Sequence, residues 1–192
     1  LLDINSFKNI NDAYGYSFGD KLISNLADRL LKYVADKTIV RVAGNRFLVL
    51  LEHQQVSMLV ALVSKLLSKL RKPFNIDTQK IVLDYNFGIV SAAYTDVDKL
   101  LSDAEIALYH SKHSEEPYCM LNDAMKRASE RRAILEQELR KAVGTNQFVL
   151  YYQPKVGVKS KKIEGAEALI RWMHPELGII PPVDFIKLAE EN

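Results

Sequence analysis

Four short stretches of this 192-residue chain hold side chains able to do chemistry. The first is Asp3-Ile4-Asn5-Ser6-Phe7-Lys8-Asn9-Ile10-Asn11-Asp12, followed by Gly15 and the pair Gly19-Asp20. The second is Arg41-Val42-Ala43-Gly44-Asn45-Arg46-Phe47, a polar turn between two apolar runs, and the third is Tyr109-His110-Ser111-Lys112. The fourth joins Tyr152-Gln153-Pro154-Lys155 to Glu167-Ala168-Leu169-Ile170-Arg171-Trp172. Residue types alone leave two readings open. Amides, carboxylates and cations at these spacings can meet a polar ligand, but Asn11 and Asp20 are also good helix caps and Lys112 suits a solvated helix end. In the fourth stretch, residues two and four apart share a strand face, so Glu167, Leu169 and Arg171 project the same way.

The elements that must position these groups follow from hydrophobic period. Leu1 to Ile4 reads as the end of a buried strand. A helix over about Asp20–Tyr33 carries Leu22, Leu26 and Leu30 on one stripe. Thr38–Val42 and Phe47–Leu51 are β-branched and apolar runs flanking Gly44-Asn45, the pattern of a tight hairpin. A second helix covers Val56–Arg71 and is barred from continuing by Pro73. Ile81–Ala92 has strand character, and Asp96 can cap a third helix through Leu108. Alternating strands and helices of these lengths predict an α/β or α+β sheet covered by helices.

From 122 to 144 the pattern becomes one long charged helix with a narrow apolar stripe, stopped by Gly144. Such a helix suits a linker, which places domains at 1–121 and 145–192. Phe148–Val158 and Ile163–Trp172 read as strands, and Pro181-Pro182 introduce a last helix from about Val183. The residues after 144 are too few for a barrel-sized core. Both ends read as cut, so an excerpt from a longer protein is expected.

Composition excludes some classes. Hydrophobic residues make up 48% and charged residues 26%, with a formal net charge of +2, which gives no reason to expect nucleic acid or an acidic membrane as partner. No apolar run approaches the roughly eighteen residues of a membrane span, and no signal peptide opens the chain. A single cysteine, Cys119, forms no internal disulfide framework and suits a cytoplasmic location and a packing role.

The first two stretches resemble the GGDEF family, diguanylate cyclases that join two GTP molecules into cyclic di-GMP in bacterial signalling. The match lies in the Asp-x-Asp-x-Phe-Lys-x-Ile-Asn-Asp opening, the downstream Gly-Asp pair and the Arg-x-x-Gly-x-x-Phe frame of the turn. The resemblance implies a central, mostly antiparallel sheet flanked by helices. It implies that Asp3 holds Mg²⁺, that Asn11 and Asp20 read the guanine edge, and that Lys112 meets the phosphates.

Departures from the family pattern are decisive for its chemistry. Ala43 replaces the first glycine of the Gly-Gly turn, and Asn45 and Arg46 replace two consecutive acids. Asn5 replaces an acid of the opening motif, and Glu116 stands where an arginine is frequent. Each reversed charge counts for about 4 kcal/mol at roughly 4 Å with an effective dielectric near 20. Mg²⁺ binds through hard anionic oxygens, which Asn45 supplies weakly and Arg46 not at all. Metal activation of the 3′-hydroxyl of GTP is therefore not expected. The family's product-inhibition Arg-x-x-Asp falls on Val34 and Lys37 and is absent. GTP remains allowed as an effector, with Arg46 contacting phosphate in place of a metal.

The fourth stretch, continued by His174-Pro175, Gly178, Pro181 and Phe185-Ile186, resembles the opening of an EAL domain, which hydrolyses cyclic di-GMP. The resemblance implies the first strands of a modified (β/α) barrel. Glu167 would be a ligand to Mg²⁺ or Mn²⁺, and Gln153 and Arg171 would hold cyclic di-GMP. His174 reads as part of a turn and Trp172 as packing. The leading expectation is a cyclase-inactive GGDEF domain that regulates an EAL phosphodiesterase incomplete in this chain, with homodimers allowed. The alternative is a non-enzymatic cyclic di-GMP or GTP receptor with both domains inactive.

Overall fold

The computed structural model describes residues 1–34, 37–51 and 55–191. It divides into two compact units, Leu1–Lys126 and the chain from Arg127 onward.

The first unit is built on a five-stranded sheet. In chain order its strands are β1 (Leu2–Ile4), β2 (Thr38–Ala43), β3 (Arg46–Leu50), β6 (Tyr85–Ile89) and β7 (Tyr118–Met120). Their spatial order is β2-β3-β1-β6-β7, antiparallel except for the parallel β6–β7 pair. The mixed, mostly antiparallel sheet expected from sequence is therefore present. A small hairpin, β4 (Phe74–Ile76) with β5 (Gln79–Ile81), stands apart from it. The single strand read over Ile81–Ala92 is in fact split, because Leu83 is buried while Asp84 breaks the run before β6.

Helices α1 (Phe7–Tyr14), α2 (Tyr16–Tyr33), α3 (Val56–Leu70) and α4 (Val97–Lys112) cover the sheet. Leu22, Leu26 and Leu30 of α2 are fully buried, as their period requires, and join Leu66, Leu70, Ile4 and Tyr85 in one core. Asp96 caps α4, its Oδ1 accepting from the N–H groups of Asp98 at 2.9 Å and Lys99 at 3.4 Å. Helix α1 was hidden from the sequence by its shortness; Gly15, with φ of +87°, separates it from α2.

Two close approaches fix this unit. A Cβ on Gly88 would stand 2.3 Å from the Ala104 carbonyl oxygen, so α4 rests directly on β6. Arg29 of α2 gathers carbonyls at and just beyond the end of α3, donating to Leu70 at 3.3 Å, to Lys72, and to Pro73 at 2.9 Å. Its guanidinium carbon lies 3.4 Å from the centre of the Phe74 ring.

The second unit takes in the later turns of α5 (Asp123–Ala142), whose Leu135, Leu139 and Ala142 are buried. They pack with Trp172, Ile180, Phe185 and Leu188. Strands β8 (Phe148–Val156), β9 (Ile163–His174) and β10 (Gly178–Ile180) form an antiparallel sheet in the order β10-β9-β8, followed by α6 (Pro182–Glu191). This sheet is open rather than closed into a barrel. Gly144, with φ of +80°, ends α5 where the sequence places the stop. His174 is buried and serves a turn, its Nδ1 accepting from the N–H groups of Glu176 at 3.1 Å and Leu177 at 3.0 Å. Among the described residues no helix is long and apolar enough to cross a membrane.

Candidate functional site

In the first unit an open cleft of about 920 Å³ collects Asp3, Asn11, Asp20, Asn45 and Lys112 from three separate stretches of sequence. Lys8, Arg41 and Asn86 complete its polar wall. Arg46, expected at a phosphate, is not among the lining residues.

Arg46 is turned onto carboxylates instead. Its Nε donates to Asp3 Oδ2 at 3.1 Å, and a terminal nitrogen reaches Glu105 Oε1 at 2.9 Å. Lys112 Nζ takes the other oxygen of Asp3 at 2.7 Å. Asp3 itself is only 2% exposed, because β1 runs between β3 and β6. A buried carboxylate needs compensation, and here two cations supply it. These residues do not fit a divalent ion. Both oxygens of Asp3 already carry positive partners, and positions 45 and 46 add an amide and a guanidinium. Among the described residues, no group of three or more His, Cys, Asp or Glu side chains could hold a metal.

Asn45 has become structural. Its side-chain Nδ2 donates to the Ile4 carbonyl at 2.7 Å, while the Ile4 N–H donates to the Asn45 carbonyl at 3.2 Å. A carboxylate in its place could only accept, so the amide ties the hairpin to β1 in a way that an acid could not. Gly44 turns the chain with φ of +41°, and Arg41 Nε donates to its carbonyl at 2.9 Å. Ala43 ends β2 opposite Arg46.

Asn11, on α1, leans across α2: its Oδ1 lies 1.9 Å from where a Cβ on Gly19 would be. Asp20 is the next residue along and is exposed. Glycine at 19 thus brings the amide of one helix beside the carboxylate of the other. Glu116, the charge reversal noted in the sequence, is exposed and does not line the cleft.

Sequence reasoning missed a second polar cluster in this unit. Buried Asp103 of α4 accepts from the Tyr94 hydroxyl at 2.6 Å and from Lys126 Nζ at 2.7 Å through the same Oδ2. Burial pushes the Asp103 carboxyl up, but these hydrogen bonds outweigh it and hold the group below the usual carboxylate range. Burial and then the bond to Asp103 push the Tyr94 phenol up to about 12. Nothing in the local sequence marks these three as partners, since they join a loop, a helix and the start of the next helix.

In the second unit, Gln153 and Glu167 stand directly opposite in the β8–β9 ladder, as do Val149 and Arg171. The strand period then puts Gln153, Tyr151, Glu167 and Arg171 on one face. Arg171 lies over Tyr151, with its guanidinium carbon 5.7 Å from the ring centre. Glu167 is 3.2 Å from Lys155 Nζ in an exposed pair. The face supplies a single carboxylate, which suits one position in a metal's oxygen shell.

Comparison with known proteins matches each of the two segments to a family. The sequence profile of the diguanylate cyclase GGDEF domain matches residues 1–117, and that of the EAL domain matches residues 136–192. The whole chain is 35% identical over 195 residues to the cyclic di-GMP phosphodiesterase PdeR of Escherichia coli. It is 34% identical over 198 residues to the bifunctional diguanylate cyclase/cyclic di-GMP phosphodiesterase MucR of Pseudomonas aeruginosa. The chain spans 29% of the length of each. Among solved structures, the GGDEF domain of YfiN from Pseudomonas aeruginosa superposes with a TM-score of 0.61 at 23% identity, covering 67% of this chain and 78% of that one. An EAL/GGDEF domain protein from M. capsulatus gives 0.58 at 32% identity, covering 63% and 81%. The chain belongs to the GGDEF family of cyclic di-GMP signalling proteins, and its GGDEF domain runs on into an EAL segment.

Proposed function

We propose that this chain is the regulatory junction of a cyclic di-GMP signalling protein. Its GGDEF domain has lost cyclase chemistry and senses GTP, and it regulates an EAL phosphodiesterase of which residues 145–192 are the opening. The observation that carries this reading is the Asp3 carboxylate held between Arg46 at 3.1 Å and Lys112 at 2.7 Å. Positive charge fixed by the protein stands where a cyclase needs a metal ion. Asn11 and Asp20 face the guanine, and Lys112 stands at the phosphate end. Arg46 contributes its charge through Asp3. In the EAL segment Glu167 is a ligand to Mg²⁺ or Mn²⁺, and Gln153 and Arg171 hold cyclic di-GMP. The helix over 122–144 links the domains and transmits occupancy from one to the other.

Calorimetry with GTP, with and without EDTA, tests the sensing role. Binding that survives EDTA is expected, and no binding at millimolar GTP defeats it. Incubating the full-length protein with GTP and Mg²⁺ should give no cyclic di-GMP. With cyclic di-GMP and Mg²⁺ it should give the linear dinucleotide. Inserting Gly-Gly at Ala133 should uncouple that hydrolysis from GTP.

A second reading, a receptor without catalysis in either domain, draws support from the Lys155–Glu167 pair at 3.2 Å. Absence of hydrolysis by the full-length protein would favour it.

A further inference from the structure

We propose that the first-unit cleft prefers a guanosine carrying one phosphate, held by Arg41 and Lys112 without a divalent cation, over the triphosphate. The proposal rests on the reading of this cleft as a guanine-nucleotide site and concerns its phosphate end.

The charged side chains lining the cleft are Asp3, Lys8, Asp20, Arg41 and Lys112. Three cations face two carboxylates, an excess of one positive charge. Such a wall comes closer to balancing a monophosphate, which carries about two negative charges near neutral pH, than a triphosphate. A triphosphate brings more charge than the wall can meet, and nucleotide sites ordinarily answer that charge with Mg²⁺. Here Asp3 cannot seat the ion. Lys112 holds Oδ1 at 2.7 Å and Arg46 holds Oδ2 at 3.1 Å, so an arriving cation meets like charge on both sides.

The guanidinium available to a phosphate is that of Arg41. Arg46 donates through Nε to Asp3 and through a terminal nitrogen to Glu105, and it does not line the cleft. Arg41 is exposed, lines the cleft and donates through Nε to the Gly44 carbonyl, and its terminal N–H groups form a planar fork. The ammonium of Lys112 has three donors, of which Asp3 takes one. The two side chains come from well-separated parts of the domain sequence, and both line this cleft. Hydrolysis of a guanine phosphodiester by water breaks one P–O ester bond and leaves a phosphate monoester and a free hydroxyl. Phosphodiester hydrolysis is therefore the class of reaction that supplies a ligand of this kind.

Titration of the chain with GMP, GTP and guanosine, each in EDTA and then in Mg²⁺, tests the proposal. In EDTA, GMP should bind about tenfold more tightly than GTP, and Mg²⁺ should change the GMP dissociation constant by less than about twofold. Arg41→Gln should weaken GMP about tenfold and leave guanosine unchanged, the latter also showing that the variant is folded. Arg41→Lys should fall between, since it keeps the charge and loses the fork. Tighter binding of Mg²⁺-loaded GTP than of GMP overturns the phosphate assignment while the guanine site stands. An unchanged GMP-to-guanosine ratio in Arg41→Gln does the same. Failure of all three ligands to bind overturns the nucleotide site itself.

Discussion

The Asn11 carboxamide occupies the space that a side chain on Gly19 would need, its Oδ1 1.9 Å from the ideal Cβ position. Asn11 is the far end of a flexible side chain, so Gly19→Ala should push it aside rather than unfold the domain. The helix itself gains roughly 1 kcal/mol from alanine, offsetting part of the crowding. Calorimetry should show guanine-nucleotide affinity falling about tenfold, with a thermal midpoint close to that of the parent. Unchanged affinity would remove Asn11 from the base-reading role.

The ion pairs on Asp3 should not be additive. Asp3 is buried, and either cation alone still leaves it a partner. Arg46→Ala or Lys112→Ala should each cost about 1 kcal/mol, whereas the double variant strands a buried charge and should cost about 3–5 kcal/mol. Urea titration of the four proteins measures the coupling. Simple additivity would mean that water reaches the carboxylate.

The Asp103 cluster contributes to the pH dependence of the first unit's stability. Asp103 is held below its ordinary range in the folded state, so its contribution is full above about pH 4 and is lost as acid drives it through the lower folded value. Tyr94 is raised from 10.0 to about 12, so folding favours the neutral phenol. Its contribution is intact below pH 10 and declines as pH climbs toward 12. Tyr94→Phe should flatten the alkaline limb of a stability-versus-pH curve and leave the acid limb in place. An alkaline limb as steep as the parent's would assign it to another group.

Arg29→Lys should destabilise the first unit by about 1–2 kcal/mol despite keeping the charge. An ammonium cannot reach the carbonyls at the end of α3 and also lie flat on Phe74. Denaturant midpoints decide this, and nucleotide affinity should be unaffected. A lysine variant as stable as the parent would mean that the stack and the fork contribute little.

Periodicity located α2, α3 and α5 because each buries leucines at helical spacing, the Asp96 cap and small buried residues marked α4, and hairpin composition located β2 and β3. It missed α1, whose residues were read as a motif although Phe7 and Ile10 sit three apart and pack on the core. It also missed β4, β7 and β10, each three residues long and too short to show a period. Motif spacing brought Asp3, Asn11, Asp20 and Lys112 forward as candidates. It could not show that Arg46 and Lys112 divide the oxygens of Asp3 between them, because those contacts cross 43 residues of sequence in one case and far more in the other. The sequence marks Arg41 only as part of the turn's frame, since it is the folded turn that brings it to the cleft.

Glu105 and Lys112 are two helical turns apart, so α4 presents both toward the same side. With Arg46 and Asp3 between them they form a row of alternating sign: acid, base, acid, base. The row sums to zero, so its field cancels within a short distance, and added salt has little to screen. The reach of that helix is set at Gly88, where a single methyl group would lift α4 from the sheet. One hydrogen in place of a side chain therefore holds the row in register, and a substitution there would move the helix that carries both Glu105 and Lys112 away from Asp3 and Arg46.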